Sequence, residues 1–317
     1  MIIDFHTHTF PDPIADAAID RLSRQANITA YTCGTAAGLL LAERAAGVDR
    51  SIILPVATKP EQVHHINDYA AAHNKHAFVT NMFSFGCIHP DYEDWKQELD
   101  RIAAANMRGV KIHPAYQQTD LDDPKYLRIL ERAGTLGLIV VTHAGYDIGF
   151  PGCACCTPEK ARSALRQVGP VKLVLAHMGG WRCWEQVPEL LADTSALLDT
   201  SFSLGSLTPR DEALPLDRQM LSDEAFVSLV RAFGAERILL AATAPGEARR
   251  TTCSTSAVCP SPTKKKPPSS AATPNASSAS DLTILNCSLE SRSFPYTAGA
   301  APDGRLLFCF SGWSRCC

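Results

Sequence analysis

Near its start the chain carries Ile2-Ile3-Asp4-Phe5-His6-Thr7-His8. The β-branched and aromatic run predicts a strand over Ile2–Phe5. Successive strand residues point to opposite sides, so His6 and His8 leave the strand end on one side and can converge on one ion. An H-x-H pair is common by chance. The weight of this one depends on where the other histidines fall.

Working outward, further strands are predicted at Ser51–Val56, Ala77–Phe83, Gly109–Ile112, Leu138–Thr142, Lys172–Ala176, Ala196–Thr200 and Arg237–Ala241. They are continuous in Val, Ile and Leu rather than alternating, as parallel strands covered on both faces are. Helical stretches lie between them, clearest at Pro60–Asn74, Asp91–Ala105, Pro124–Gly137, Pro158–Val168, Trp184–Ala192 and Ser222–Gly234. Several begin with Pro, Asp or Ser and several end near Gly, the usual start and stop signals. Eight strands with helices between them predict an α/β fold, a TIM-like (β/α)8 barrel. An open doubly wound sheet is the alternative, weakened because no G-x-G-x-x-G turn follows the first strand.

Two more histidines close predicted strands: His143 in Val-Thr-His-Ala-Gly and His177 in Leu-Ala-His-Met-Gly-Gly. In a barrel all these strand ends gather at one mouth, where barrel active sites form. Three imidazoles plus water make an open zinc site. Taken together, Asp4-Phe-His-Thr-His8, Gly109-Val-Lys-Ile-His-Pro114, Thr142-His-Ala-Gly145 and Leu175-Ala-His-Met-Gly-Gly180 resemble the amidohydrolase superfamily. The likeness is to its amidohydrolase-related branch, which holds hydrolases beside aminocarboxymuconate-semialdehyde decarboxylase-like enzymes. It covers residues 1–242.

The resemblance implies a divalent metal, Zn2+ by expectation, on His6, His8, His143 and His177, with His177 also catalytic. Water on that metal has its pKa lowered from 15.7 to about 7, and a small amide, ester or lactone is the expected substrate. A decarboxylase, or a barrel that binds metal without catalysis, stays open. His113 is expected to orient substrate, with a structural role equally open. Lys111 is not expected to bridge metals, and Asp199 reads as a strand-end hydrogen bonder. The loop thiols Cys153, Cys155 and Cys156 are expected to be reduced. His64, His65, His73, His76 and His89 read as surface residues, and Trp181 and Trp184 as packing.

Composition bounds the rest. The 317 residues are 45% apolar with net charge −3, so no basic field points to nucleic acid. No apolar run reaches a membrane span and no signal peptide is evident, which places the expected protein in the cytoplasm, with a small-molecule substrate. A homo-oligomer is left open. All ten histidines fall between His6 and His177, whereas six of twelve cysteines fall in the last 75 residues, which are rich in Ser, Thr, Pro and Ala. The expected organisation is a barrel over 1–242 and a disordered tail over 243–317.

The resemblance also expects an Asp after the eighth strand, in a sequence such as Thr-Asp-Ser-Pro-Trp-Gly. The chain has Ala242-Thr-Ala-Pro-Gly-Glu247 instead. Joining the last base of each codon to the first two of the next permits Asp-Ser-Pro-Trp-Gly across those six residues. The same offset from Thr263 to Ser280 permits Glu-Glu-Glu-x-Ala-Ile-Leu-Gly-x-Asn-Ala-Glu-Arg-Leu-Leu-Gly-Leu, similar to the family's last helix, and Ser280–Asp281 permits the stop TGA. The expectation is a frameshift near Ala241–Ala242 and a barrel that keeps its eighth strand but loses its final helix. Lys264–Lys266 then carries no functional weight.

Overall fold

The computed structural model describes residues 1–241, together with 299–300 and 306–307. It divides into two units, Met1–Lys264 and Lys265–Cys317. In the second, Gly299–Ala300 pairs antiparallel with Leu306–Leu307. The expected disorder of 243–317 and the codon-offset stretches lie otherwise outside the described residues.

In the first unit the strands are β1 (Ile3–Thr7), β2 (Arg50–Ile53), β3 (Met82–Ser84), β4 (Gly86–Cys87), β5 (Gly109–Ile112), β6 (Ile139–Thr142), β7 (Lys172–Leu175), β8 (Leu197–Asp199) and β9 (Ile238–Leu239). Every neighbouring pair is parallel, in the orders β1-β2-β3 and β4-β5-β6-β7-β8-β9. β3 and β4 are one stave interrupted at Phe85, whose N–H still donates to the Ile53 carbonyl at 2.9 Å. The Phe5 N–H donates to the Leu240 carbonyl at 2.9 Å and joins β9 to β1. The eight staves therefore close into the barrel expected from the sequence.

The expected third strand was misplaced. Ala77–Thr80 is a helical turn, and the strand starts only at Met82. Asn81, in the left-handed region at φ 58°, turns the chain between them. Phe78 and Val79 are exposed, so the apolar run that suggested a strand does not face the core. Two helices escaped the sequence reading: α1 (Asp12–Ala26) and α2 (Ala36–Ala46). Others begin where their caps dictate. Asp123, Thr157 and Ser222 each accept a backbone N–H of the following turn, worth about 1 kcal/mol apiece.

Two apolar layers hold the barrel. Val110, Ile112, Val140, Leu173 and Leu175 face the surrounding helices, and Leu54, Phe85, Ile139, Val141 and Val174 fill the interior. Gly109 makes room for Phe85. A Cβ there would lie 2.3 Å from the Ile139 carbonyl oxygen and 2.5 Å from the Phe85 ring. Ile2 and Leu240, beside the β1–β9 closure, are 45% and 57% exposed.

Gly109→Ala meets a backbone atom that cannot swing aside. Overpacking of this kind costs about 1–3 kcal/mol, so the variant should melt earlier than wild type in a urea titration. An unchanged midpoint would mean that Phe85 does not sit on this strand.

Candidate functional site

The barrel mouth is lined by the ends of five strands. β1 delivers His6 and His8, β5 delivers Lys111 and His113, and His143, His177 and Asp199 come from β6, β7 and β8. His6, His8, Lys111, His113, His143 and His177 all line one cavity of about 180 Å³. The histidines expected at strand ends thus meet at one place.

His177 reaches that place by breaking the strand rule. Leu173 and Leu175 of β7 face outward and Val174 inward, so alternation alone would turn residue 177 away from the mouth. His177 and Met178 instead take left-handed backbone at φ 60° and 53°. Non-glycine residues there cost about 1–3 kcal/mol each and persist only where surroundings hold them. Here the His177 N–H donates to Asp199 Oδ1 at 3.1 Å and the Met178 N–H to the Asp199 carbonyl at 2.7 Å. Gly145, at φ +85°, lets the loop after β6 press against Trp181, whose backbone nitrogen would lie 2.2 Å from any Cβ.

Hydrogen bonding fixes the tautomers. His8 Nδ1–H donates to the Leu54 carbonyl at 2.7 Å, His177 Nδ1–H to the Ser201 carbonyl at 2.9 Å, and His143 Nε2–H to the Tyr146 carbonyl at 3.1 Å. His6 Nδ1–H donates to Asp199 Oδ2 at 2.8 Å. Each neutral ring therefore turns a lone pair inward. His143 Nδ1 and His177 Nε2 face each other at 3.1 Å. Burial pushes His143 and His177 down to about 3 and His8 to about 4, and lowers His6 well below the usual value. Opposed lone pairs at that distance on rings that resist protonation suit a cation between them. Outer N–H groups tied to carbonyls or a carboxylate are the pattern of metal-binding histidines. His6 Nε2 meanwhile accepts from Lys111 Nζ at 3.3 Å, and burial brings Lys111 down to about 8.

Several expectations need correction. Asp199 does more than cap its strand, since its carboxylate holds His6, His177 and Ser201 together. Cys153 and Cys155 form a disulfide rather than a pair of reduced thiols, because the loop after Gly152 folds their Cα atoms to 5.6 Å. Cys156 stays a free buried thiol. His89 is buried rather than at the surface, its Nδ1 accepting the Asp91 N–H at 3.1 Å. Trp181 lines the cavity, whereas Trp184 packs, its indole N–H bonded to the His177 carbonyl at 2.9 Å. His113 stands at the cavity wall, stacked on His143 with ring centroids 4.3 Å apart. The sequence reading missed Asp147. It lies four residues past His143, and its position became legible only once the intervening loop folded back.

The amidohydrolase family model matches residues 3–252. This chain belongs to the amidohydrolase family. No curated protein sequence matches it significantly. Among solved structures it is similar to 5-carboxyvanillate decarboxylase LigW from Sphingomonas paucimobilis, with 16% identity, TM-score 0.52, and 77% and 88% of the two chains covered. It is also similar to 5-carboxyvanillate decarboxylase LigW2 from Novosphingobium aromaticivorans, with 13% identity, TM-score 0.51, and 77% and 87% covered. That structure holds manganese and 3-methoxy-4-hydroxy-5-nitrobenzoic acid. Both likenesses establish the barrel fold. Among the described residues no helix is long and apolar enough to cross a membrane.

The buried neutral histidines make stability depend on pH. Their folded values, about 3 to 4, lie below the unfolded value of 6.5. The unfolded chain therefore binds more protons, and stability present above pH 6.5 is lost as pH falls toward 4. The slope is about 1.4 kcal/mol per pH unit for each of His8, His143 and His177. Thermal melts of the metal-free chain between pH 7 and 5 should move steeply downward. A flat profile would mean that these rings are not buried neutral.

Proposed function

We propose that this family member is a metal-dependent decarboxylase of a small planar carboxylic acid. The observation that carries the reading is Lys111. Among the described residues lining the cavity it is the sole lysine or arginine, and it sits at the floor beside His6. The opposite walls are apolar and aromatic, with Tyr116, Trp181, Phe202 and Ile148. Such a cavity takes a flat acid end-on, carboxylate toward Lys111 and ring between the aromatic walls. The names of the two similar structures point the same way.

Hydrolysis, the first expectation from the resemblance, asks for more. It needs a group free to take a proton from water. Asp199 is committed to His6, His177 and Ser201, and Asp147 is turned toward His113 and His143. Decarboxylation needs an anchor, a sink for the electron pair and a proton for the carbon. Lys111 Nζ anchors the carboxylate. Its proton, held at neutral pH by a group that titrates near 8, passes to the carbon as the C–C pair stays behind and CO2 leaves. His6, His8 and His143 or His177 would hold a divalent ion. That ion, when bound, supplies a Lewis acid that polarises a substrate oxygen. Manganese, present in one similar structure, is the ion to test beside zinc.

We also infer that the residues after Ala241 are read out of frame, and that the ancestral site had a carboxylate at the end of β9. The codon offset that yields Asp-Ser-Pro-Trp-Gly, a helix and a stop supports this, as do the exposed Ile2 and Leu240.

Four measurements test these readings. With Mn2+ or Zn2+, the frame-restored protein should release CO2 from at least one hydroxybenzoate in a panel and leave amides and lactones intact; the opposite pattern would return the reading to hydrolysis. Lys111→Met should lower kcat/KM by 100-fold or more. Resequencing codons 235–285 should show one base gained or lost, and an unchanged frame would make the tail genuine and the carboxylate truly absent. The chain as written should be poorly soluble beside its restored form, because the apolar seam stays open.

A further inference from the structure

Asp147 takes no part in the proposed decarboxylation. It sits in the turn that follows β6 and is only 9% exposed. Its Oδ1 accepts the Gly149 N–H at 2.8 Å, and the Phe150 N–H closes the turn on the Asp147 carbonyl at 3.1 Å. Held in this way, Oδ2 faces the edge of the stacked His113–His143 pair, 3.6 Å from the Nε2 of each. Both nitrogens carry hydrogen. His143 Nε2 donates to the Tyr146 carbonyl, and His113 Nδ1 accepts the Tyr116 N–H at 3.4 Å, which leaves the proton of the neutral ring on Nε2.

These donor atoms lie within 4.8 Å of one another, as they would around a cation. The assigned tautomers argue against one: with hydrogen on both Nε2 atoms, neither ring offers a lone pair there. The two imidazoles are 13° from parallel with centroids 4.3 Å apart, and the Asp147 carboxylate lies against the N–H edge of the pair. A buried carboxylate is costly unless donors or opposite charge face it; at 3.6 Å the two imidazole edges lie beyond hydrogen-bond range and act on Asp147 through charge.

We propose that Asp147 is a positioning residue, which holds His113 against His143 and keeps the proton of each ring on Nε2, so that His143 Nδ1 stays turned toward His177. Its effect on metal rests on the reading of His143 as a ligand. Its effect on the rings does not.

The test uses the full-length chain, metal-free and then titrated with Mn2+, as wild type, Asp147→Ala, Asp147→Asn and Asp147→Glu. In the Ala and Asn variants the imidazole 15N resonances of His113 and His143 should leave the Nε2–H tautomer positions of wild type. Manganese affinity should fall 10–100-fold, the usual effect of losing a ligand's outer partner. The Glu variant should recover part of both. Ring resonances unchanged in a variant that still melts cooperatively would overturn the proposal, whatever manganese does. Should Asp147→Ala fail to fold, the near-isosteric Asn variant decides. Shifted rings in a protein whose wild type binds no manganese would sink the metal reading and leave the role of Asp147 intact.

Discussion

The barrel mouth depends on one buried carboxylate. Asp199 is fully buried, a position that an unpaired charge could not hold. It is held because both oxygens are used. Oδ2 accepts from His6 on β1. Oδ1 accepts backbone N–H groups of His177 and Ser201 and the Ser201 hydroxyl. β1 and β8 are not neighbours in the sheet, since β9 stands between them. Asp199 therefore ties strands across the barrel rather than along it. The same bonds set the tautomer of His6 and hold the left-handed backbone of His177, so the strain at His177 and the orientation of His6 have a common support.

How much of this was legible in the sequence follows from physical range. Strand placement rests on local apolar runs, and it was right wherever a run met the sheet, as at Gly109–Ile112. It failed at Ala77–Phe83, where the run is equally apolar but Asn81 turns the chain and leaves Phe78 outside. His6, His8, His143 and His177 come together because barrel topology sends every strand end to one mouth. The orientation of His177 was not legible, since strict alternation would aim it elsewhere. Asp147 and the Cys153–Cys155 disulfide lie on a loop whose path depends on Gly145 passing Trp181, a tertiary contact that no periodicity announces.

The site also divides its histidines by what stands behind them. His8 and His177 are backed by main-chain carbonyls, which stay put as long as the barrel does. His6 is backed by a carboxylate and faced by Lys111, so its inward lone pair already has a partner in the metal-free chain. On the proposed reading, His6 would have to give up this Lys111 contact to hold a cation, and Lys111 would then be free to face a carboxylate substrate.

Site and seam are coupled through β1. That strand carries His6 and His8, and one of its two neighbours is β9, a stave with only two residues in strand geometry. Among the described residues, the Phe5 N–H to Leu240 carbonyl bond is the main-chain link between them. A stave so short cannot hold β1 by hydrogen bonds alone. It needs an apolar cover, and Ile2 and Leu240 are the exposed apolar residues beside it. Whatever loosens that seam moves His6 and His8 relative to His143 and His177, which stand on the better-paired β6 and β7. If, as proposed, the chain is out of frame after Ala241, a missing carboxylate at the end of β9 and a missing cover over the seam would both act on the strand that carries His6 and His8.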